Sequence, residues 1–341
     1  MIKIENIVRP NILELLSYSC ARDEYNGKEG IFLDANENPF GELNRYPDPY
    51  QKELKKKLAI LKKVSIENIF VGNGSDEVID LIFRIFCNPE SDKALSFSPT
   101  YSMYNVSAAI NNVELITLPL KSEFQMDMEK VKPYLDNSSI KLIFICSPNN
   151  PTGNLMNRGD IEFILNHFNG IVIIDEAYID FAEGESLINL INQYNNLIIS
   201  QTFSKAWGLA AARIGIAYAN PEIIKLYNKV KPPYNISELN QKAALNALEN
   251  LDNYRLNLKT ILKEKKQLKA DLQKLDLVKK IYPTDANFLL IEFENADYIY
   301  AYLVKKQIIT RNKNKQVAHC IRISVGTQEE NKKLINALKN I

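Results

Sequence analysis

The chain has 341 residues, 46% hydrophobic and 24% charged, a composition typical of a globular protein with room for two lobes. Lys and Arg number 42 against 41 for Asp and Glu, so the net charge of +1 excludes a global field that would attract nucleic acid or an anionic membrane. The first residues contain no signal-peptide core and no apolar run reaches the roughly 18 residues of a membrane span, so we expect a cytoplasmic protein. Four cysteines without CxxC spacing and only two histidines argue against disulfides, a metal site and a histidine-based triad.

The first half of the chain predicts a sheet. Residues 1 to about 35 contain short apolar patches broken by loop signals, which favours an arm lying on a larger body, and residues 50–63 have helical spacing. Strand-like runs follow at 69–71, 94–99, 113–120, 141–148, 170–178, 196–205 and 212–220, most of them separated by helical patterns. Several are nearly continuous apolar runs, which is typical of strands buried on both faces of a mainly parallel sheet.

The pattern changes near the Lys-Pro-Pro sequence at 231–233. A long helical stretch is predicted at 237–275, followed by strand, helix, strand and helix patterns that favour a small α+β lobe. We therefore predict an α/β protein with an arm at 1–35, a large lobe at 36–232 and a small lobe at 233–341.

Polar residues follow several predicted strands, at the edge where α/β folds bind ligands. Gly74 and Ser75 precede a helix that begins near Asp76, and the free N–H groups of such a turn suit either a phosphate or an ordinary helix cap. Asn150 follows a predicted strand and precedes a proline, so it is either a ligand contact or a residue of a structural turn. Asp175 directly follows five apolar residues and is either a helix cap or a half-buried carboxylate, which would need a cationic partner such as a protonated pyridine nitrogen.

A lysine follows another of these strands. Lone lysines at strand ends are usually solvated, but Lys205 comes directly after Thr202 and Ser204, and Arg213 lies eight residues later. Two hydroxyls, a guanidinium and the small residues GLAAA indicate a phosphate cup beside a lysine suited to imine chemistry.

The ordered motifs GSDE, PTYSMY, SPNNPTG, IIDEAY and TFSKAWGLAAARIG, with RYPD upstream and CIRISVGT downstream, resemble the histidinol-phosphate aminotransferases. The resemblance runs from residue 8 almost to the C-terminus, and the order and spacing of the motifs carry it. It implies a fold-type I pyridoxal 5'-phosphate (PLP)-dependent transferase. The large lobe, with a mainly parallel seven-stranded sheet, would bind PLP, and the arm would pack with the small α+β lobe.

The resemblance also implies cofactor contacts. Lys205 would form a Schiff base with PLP and move the proton during transamination, and Asp175 would pair with the pyridinium nitrogen. Asn150 and Tyr178 would hydrogen-bond the 3'-oxygen. Tyr101 would stack on the ring, with a core aromatic as the alternative. The implied phosphate contacts are the turn of Gly74, Ser75 and Asp76, the side chains of Thr202, Ser204 and Arg213, and Tyr46 from the neighbouring subunit of a homodimer with shared active sites.

Substrate contacts are implied near both ends of the chain. Arg322 would bind the carboxylate of glutamate or the phosphate of the imidazole substrate. Three further residues would contact the substrate: Arg311, Tyr18 and Asn36. For each of them the alternative is a surface or packing role. The implied reaction is transamination between L-histidinol phosphate and 2-oxoglutarate, giving imidazole acetol phosphate and L-glutamate.

Two other functions are weighed against this one. The first is a relative with the same cofactor machinery: an aromatic or broad-range aminotransferase, or a phospho-amino-acid decarboxylase. The second is a catalytically silent regulatory protein, which is disfavoured because the chain has no spare DNA-binding module and retains Lys205.

Overall fold

The structure is a computed structural model that describes residues 2–18 and 30–341. Cys20 and part of the predicted arm lie outside the described residues. The first of two sheets has seven strands: β1 (Ile69–Asn73), β2 (Lys93–Ser98), β3 (Glu114–Pro119), β4 (Ile140–Cys146), β5 (Ile171–Asp175), β6 (Leu197–Thr202) and β7 (Ile214–Ala219). Their order is β1-β7-β6-β5-β4-β2-β3, and β7 runs antiparallel to both of its neighbours while the other pairs are parallel. The predicted mainly parallel α/β sheet is confirmed.

Burial on both faces explains the apolar runs in these strands. Every residue of β5 and β6 is buried. Alternate residues point to opposite faces of a strand, so Val172 and Ile174 pack into one core cluster and Ile171 and Ile173 into the other. The sheet thus forms the middle layer between two sets of helices.

The described residues form the following α-helices: α1 (Pro10–Glu14), α2 (Lys52–Lys62), α3 (Ser75–Phe86), α4 (Met103–Ile110), α5 (Met128–Leu135), α6 (Arg158–His167), α7 (Pro221–Val230), α8 (Glu238–Glu249), α9 (Leu251–Leu272), α10 (Ala296–Lys305) and α11 (Gln328–Leu338). Most of α2 to α7 connect consecutive strands of the first sheet. None of the helices in residues 2–18 and 30–341 is long and apolar enough to cross a bilayer.

The second sheet is antiparallel and has the order β10-β11-β9-β8. Its strands are β8 (Val278–Ile281), β9 (Phe288–Phe293), β10 (Arg311–Asn312) and β11 (Cys320–Ser324). The sequence pattern predicted β9, α10, β11 and α11 but missed β8 and β10. Both missed strands are short and have no fully buried residue, so neither contains a continuous apolar run.

One prediction in this region was wrong. The single helical stretch expected at 237–275 is two helices, because α8 ends at Glu249 and α9 begins at Leu251, with Asn250 in a non-helical conformation between them. Leu248 of α8 packs with the core of the first sheet, whereas Leu268 of α9 packs with the core of the second. The lobe boundary between 232 and 233 stays a proposal.

Candidate active site

A cavity of about 420 Å³ opens at the carboxyl ends of the parallel strands and reaches the second sheet. Parallel strands all present this edge on one side, which is why residues distant in sequence meet there. The predicted site residues that line the cavity are Ser75, Asp76, Tyr101, Asn150, Asp175, Tyr178, Thr202, Ser204, Lys205, Arg213, Arg311 and Arg322. The sequence did not identify Thr100, Ser102, Cys146, Ala177, Ala210 and Lys313, which also line it.

Asp175 ends β5 inside the protein, with 3% of its surface exposed. The hydroxyl of Tyr104 donates a hydrogen bond to Asp175 Oδ2 over 2.8 Å, and the N–H of Ala177 donates to Oδ1 over 3.1 Å. Burial raises the pKa of Asp175 above its usual value, and these two hydrogen bonds oppose that rise. Sequence reasoning missed Tyr104, although it is the second tyrosine of the PTYSMY motif.

Lys205 follows β6, and its side chain remains accessible from the cavity. The Lys205 Nζ atom lies 5.6 Å from the centre of the Tyr178 ring. Partial burial lowers the pKa of Lys205, the nearby Arg322 lowers it further, and Asp175 opposes both effects. A lowered pKa leaves more of the amine neutral, which is the form that reacts with carbonyl carbon.

The turn before α3 leaves the first N–H groups of the helix, at Ser75 and Asp76, without a side-chain cap. Gly74 is the residue before the helix, has φ = +79°, and contributes no side-chain cap. A Cβ atom on Gly74 would lie 2.5 Å from Arg213 Nη2, and one on Gly215 would overlap the backbone at Ser75. Only glycine at both positions permits this close packing.

Hydroxyl and guanidinium groups complete a cup around this helix end. Thr202 Oγ1 lies 3.0 Å from Ser204 Oγ, and Arg213 Nη1 donates to the same Ser204 oxygen over 3.4 Å. Arg213 Nη2 also lies 3.3 Å from Asp76 Oδ2, an ion pair at the rim that is more than a third exposed. Helix N–H groups, two hydroxyls and a guanidinium are the donor set that binds a phosphate, so these residues fit a phosphorylated cofactor.

The second sheet contributes cations to the opposite side of the cavity. Arg322 of β11 lies directly across from Arg311 of β10. The Arg322 guanidinium donates to Asn150 Oδ1, lies 5.2 Å from the centre of the Phe288 ring, and leaves its buried Nε without a partner. Burial lowers the pKa of Arg322, and Arg311 adds to that effect. This arrangement suits recognition of an anion by arginine.

Three predicted site residues lie elsewhere in the single chain. Tyr46 and Asn36 line a separate cavity of about 360 Å³, and the Tyr46 ring stacks on that of Tyr234 with 4.3 Å between centres. Tyr18 is 65% exposed. Gly74 forms the turn behind Ser75 without lining the cavity itself.

The seven-stranded sheet with a cavity at its carboxyl edge is the architecture of the fold-type I transferases. The sequence agrees, because residues 26–338 match the model of the family described as aminotransferase class I and II. The chain belongs to this family.

Similar proteins of known name indicate which aminotransferases the chain resembles. The chain is 50% identical to the histidinol-phosphate aminotransferase of Cytophaga hutchinsonii over 98% of both chains. The crystal structure of the enzyme of that name from Clostridium acetobutylicum is 27% identical, with a TM-score of 0.80 over 87% of this chain and 90% of that one. These similarities place the chain among the histidinol-phosphate aminotransferases.

The cofactor follows from the family, whose members depend on pyridoxal 5'-phosphate. The Sinorhizobium meliloti histidinol-phosphate aminotransferase, solved in complex with pyridoxal-5'-phosphate, shares the fold with a TM-score of 0.77 over 90% of this chain and 89% of that one, at 24% identity.

Proposed function

We propose that the protein transfers an amino group between L-histidinol phosphate and 2-oxoglutarate, giving imidazole acetol phosphate and L-glutamate. The observation that carries the proposal is the position of Lys205 in one cavity between two anion-binding regions, the cup at Ser75 and Arg213 and the arginine pair Arg311 and Arg322. The first region fits the cofactor phosphate. The second fits the anionic end of the substrate.

Each residue of the cup then has a role toward the cofactor. Ser75 and Asp76 offer backbone N–H groups to its phosphate, and Ser204, Thr202 and Arg213 offer side chains. When bound, pyridoxal phosphate supplies an electron-withdrawing ring that stabilises negative charge at the substrate's α carbon.

The ring is held by groups on several strand ends. Asp175, whose carboxylate is fixed by the Tyr104 hydroxyl, would pair with the pyridine nitrogen and favour its protonated form. The Asn150 oxygen accepts from Arg322, so its amide N–H remains available to the ring's 3'-oxygen together with the Tyr178 hydroxyl. Tyr101 is half-buried, its hydroxyl donates to Asp76 Oδ1 over 3.1 Å, and its ring would stack on the cofactor ring.

Lys205 is the group that moves the proton. Its amine would take up and hold the proton of the substrate's α carbon, a role that neither histidine of the chain can fill because neither lines the cavity. Burial, followed by the charges of Arg322 and Arg213, lowers the pKa of this amine and so favours its neutral form. One site must serve two substrates, and Arg322 serves both by binding a carboxylate or a phosphate.

The proposal includes a homodimer in the cytoplasm. Large apolar side chains near the N-terminus stand in solvent in the single chain: Leu16 and Ile31 are 91% exposed and Leu33 is 89% exposed. An apolar surface of this kind is expected to be covered by a partner. A second copy packed there would place Tyr46 beside the partner's cofactor phosphate and Tyr18 and Asn36 near the substrate.

Steady-state kcat/KM for histidinol phosphate, phenylalanine and tyrosine tests the substrate assignment. We expect a clear preference for histidinol phosphate, with keto product and glutamate formed in equal amounts. A preference for the aromatic amino acids, or release of carbon dioxide from a phospho-amino acid, would assign the protein to another activity of the same fold.

A further inference from the structure

Lys313 stands on the same face of the second sheet as the two substrate arginines. Side chains two apart on a strand point the same way, so Lys313 follows Arg311 on the cavity side, and its N–H bonds the carbonyl of Cys320 to continue the β10–β11 ladder. Asn312, between them, points away and donates to Asp297 Oδ1 over 2.6 Å. Three cationic side chains, Arg311, Lys313 and Arg322, therefore line the same wall of the cavity.

Carboxylates within residues 2–18 and 30–341 do not neutralise these cations. Lys313 Nζ donates to the neutral amide oxygen of Gln316 over 2.7 Å, and Arg322 donates to that of Asn150. In the part of the chain that the structure describes, none of the three forms an ion pair with a carboxylate. Like charges directly opposite on paired strands repel each other, and a bound anion would relieve that repulsion.

We propose that Lys313 is a specificity-determining residue, a third anion-binding cation that favours the phosphate substrate over the carboxylate substrate. The inference rests on the proposed function and deepens it, because it concerns how one pocket handles two different anions.

The charges of the two substrates explain the selection. A carboxylate carries one negative charge and two oxygens, which a single guanidinium satisfies with two parallel hydrogen bonds. A phosphate monoester carries nearly two charges and three acceptor oxygens at neutral pH. It therefore gains from a further donor that a carboxylate does not require. Burial and the charges of Arg322 and Arg311 lower the pKa of Lys313 to about 8, so the ammonium is still mostly protonated at neutral pH.

The test compares the holoenzyme with three variants. Lys313→Gln removes the charge, Lys313→Arg retains it, and Lys315→Gln removes an exposed charge two residues away. Histidinol phosphate and glutamate are each mixed alone with the enzyme, and the loss of the absorbance of lysine-bound cofactor gives an apparent Kd and a maximal rate for each half-reaction. Inorganic phosphate is titrated as a competitor of glutamate.

For Lys313→Gln we expect the Kd of histidinol phosphate and the inhibition constant of inorganic phosphate to rise about tenfold or more, the loss typical of a hydrogen bond between charged groups. The Kd of glutamate should rise by only about twofold, with the maximal rates nearly unchanged. Lys313→Arg should recover most of the phosphate affinity, and Lys315→Gln should match the parent enzyme.

Equal weakening toward both substrates, or no weakening toward either, overturns the inference. If the parent enzyme reacts with glutamate but not with histidinol phosphate, the proposed function fails instead. Competition by inorganic phosphate then still decides the role of Lys313. A tenfold rise in the inhibition constant of phosphate in Lys313→Gln supports that role, and an unchanged inhibition constant overturns it.

Discussion

The hydroxyl of Tyr104 donates a 2.8 Å hydrogen bond to the carboxylate of Asp175, and both side chains are buried. Burial raises the pKa of Asp175 above its usual value, and the hydrogen bond from Tyr104 is the largest influence that opposes this rise. An aspartate that keeps the cofactor nitrogen protonated must itself stay ionised. We therefore propose that Tyr104 acts on the cofactor through Asp175, as a positioning residue.

Tyr104→Phe removes this hydrogen bond while keeping the ring. We expect the Kd of pyridoxal phosphate to rise about tenfold and kcat to fall by a similar factor, since a hydrogen bond to a charged group is worth about 1.5–3 kcal/mol. Fluorescence titration of the apoenzyme and steady-state rates measure the two effects. Tyr227→Phe is the matched control, because the Tyr227 hydroxyl is also buried but bonds the Val78 carbonyl away from the cavity. Cofactor affinity that is the same in Tyr104→Phe and the parent enzyme would contradict this role.

Gly74→Ala tests the cup. The new Cβ would lie 2.5 Å from Arg213 Nη2 in a left-handed backbone conformation, so the guanidinium must move away from the cofactor phosphate. The Kd of pyridoxal phosphate should rise at least about tenfold, as for loss of a charge-assisted hydrogen bond. Gly208→Ala is the control: Gly208 has φ = +70°, but its Cβ would meet nothing within 4 Å. It should lower stability by about 1 kcal/mol and largely spare cofactor affinity. Equal losses of affinity in both variants would show that backbone strain, not the displacement of Arg213, is responsible.

The buried Lys55 makes the free energy of unfolding depend on pH. Its ammonium is buried in α2, and burial followed by the nearby charge of Lys231 lowers its pKa from 10.5 to about 8. Between these two pH values the unfolded chain binds more protons than the folded one, so the free energy of unfolding contributed by Lys55 increases as pH rises from 8 to 10.5. Below pH 8 the full penalty applies, about 3 kcal/mol for a shift of this size.

Lys55→Met removes that penalty. We expect the variant to be more stable than the parent protein at pH 7, by up to about 3 kcal/mol, and the difference to shrink toward pH 10.5. Denaturant unfolding at several pH values measures it. Lys56→Met changes an exposed lysine of the same helix and should give no such trend. A stability difference for Lys55→Met that is constant from pH 7 to 10.5 would contradict the buried cation.

Arg322→Lys tests the shared anion site. A lysine retains the charge but loses the planar pair of donors and the contact with the Phe288 ring. Since both substrates are proposed to bind Arg322, kcat/KM should fall for glutamate and for histidinol phosphate alike, each by about tenfold or more. The rate of the half-reaction with each substrate alone, measured in the variant and in the parent enzyme, tests this expectation. A loss confined to one substrate would mean that the two anions bind in different places.

Much of the fold and of the candidate site could be predicted from the sequence because the signals are local. Buried parallel strands appear in the sequence as continuous apolar runs. The topology of a parallel sheet then brings the residues at the ends of these strands, such as Asp175 and Lys205, together at one edge. The motif order then led to the family.

Other features depend on contacts that no local pattern encodes. Tyr104 reaches Asp175 across 71 positions of sequence. Lys313 follows a strand of only two residues, whose pairing with β11 places Arg311 opposite Arg322 and brings Lys313 to the same face of the sheet. The break at Asn250 was missed because helical spacing continues on both sides of it. Tyr46, Tyr18 and Asn36 do not line the cavity within one chain, and the roles proposed for them require a second copy.

The central claim is that Lys205 holds the cofactor and moves the proton. The most direct measurement is the absorbance spectrum and the transamination rate of purified Lys205→Ala after saturation with pyridoxal phosphate. We predict that the absorbance of lysine-bound cofactor is absent and that kcat falls by at least about a thousandfold, while the melting temperature shows a folded protein. Retention of both the absorbance and the turnover would contradict the account.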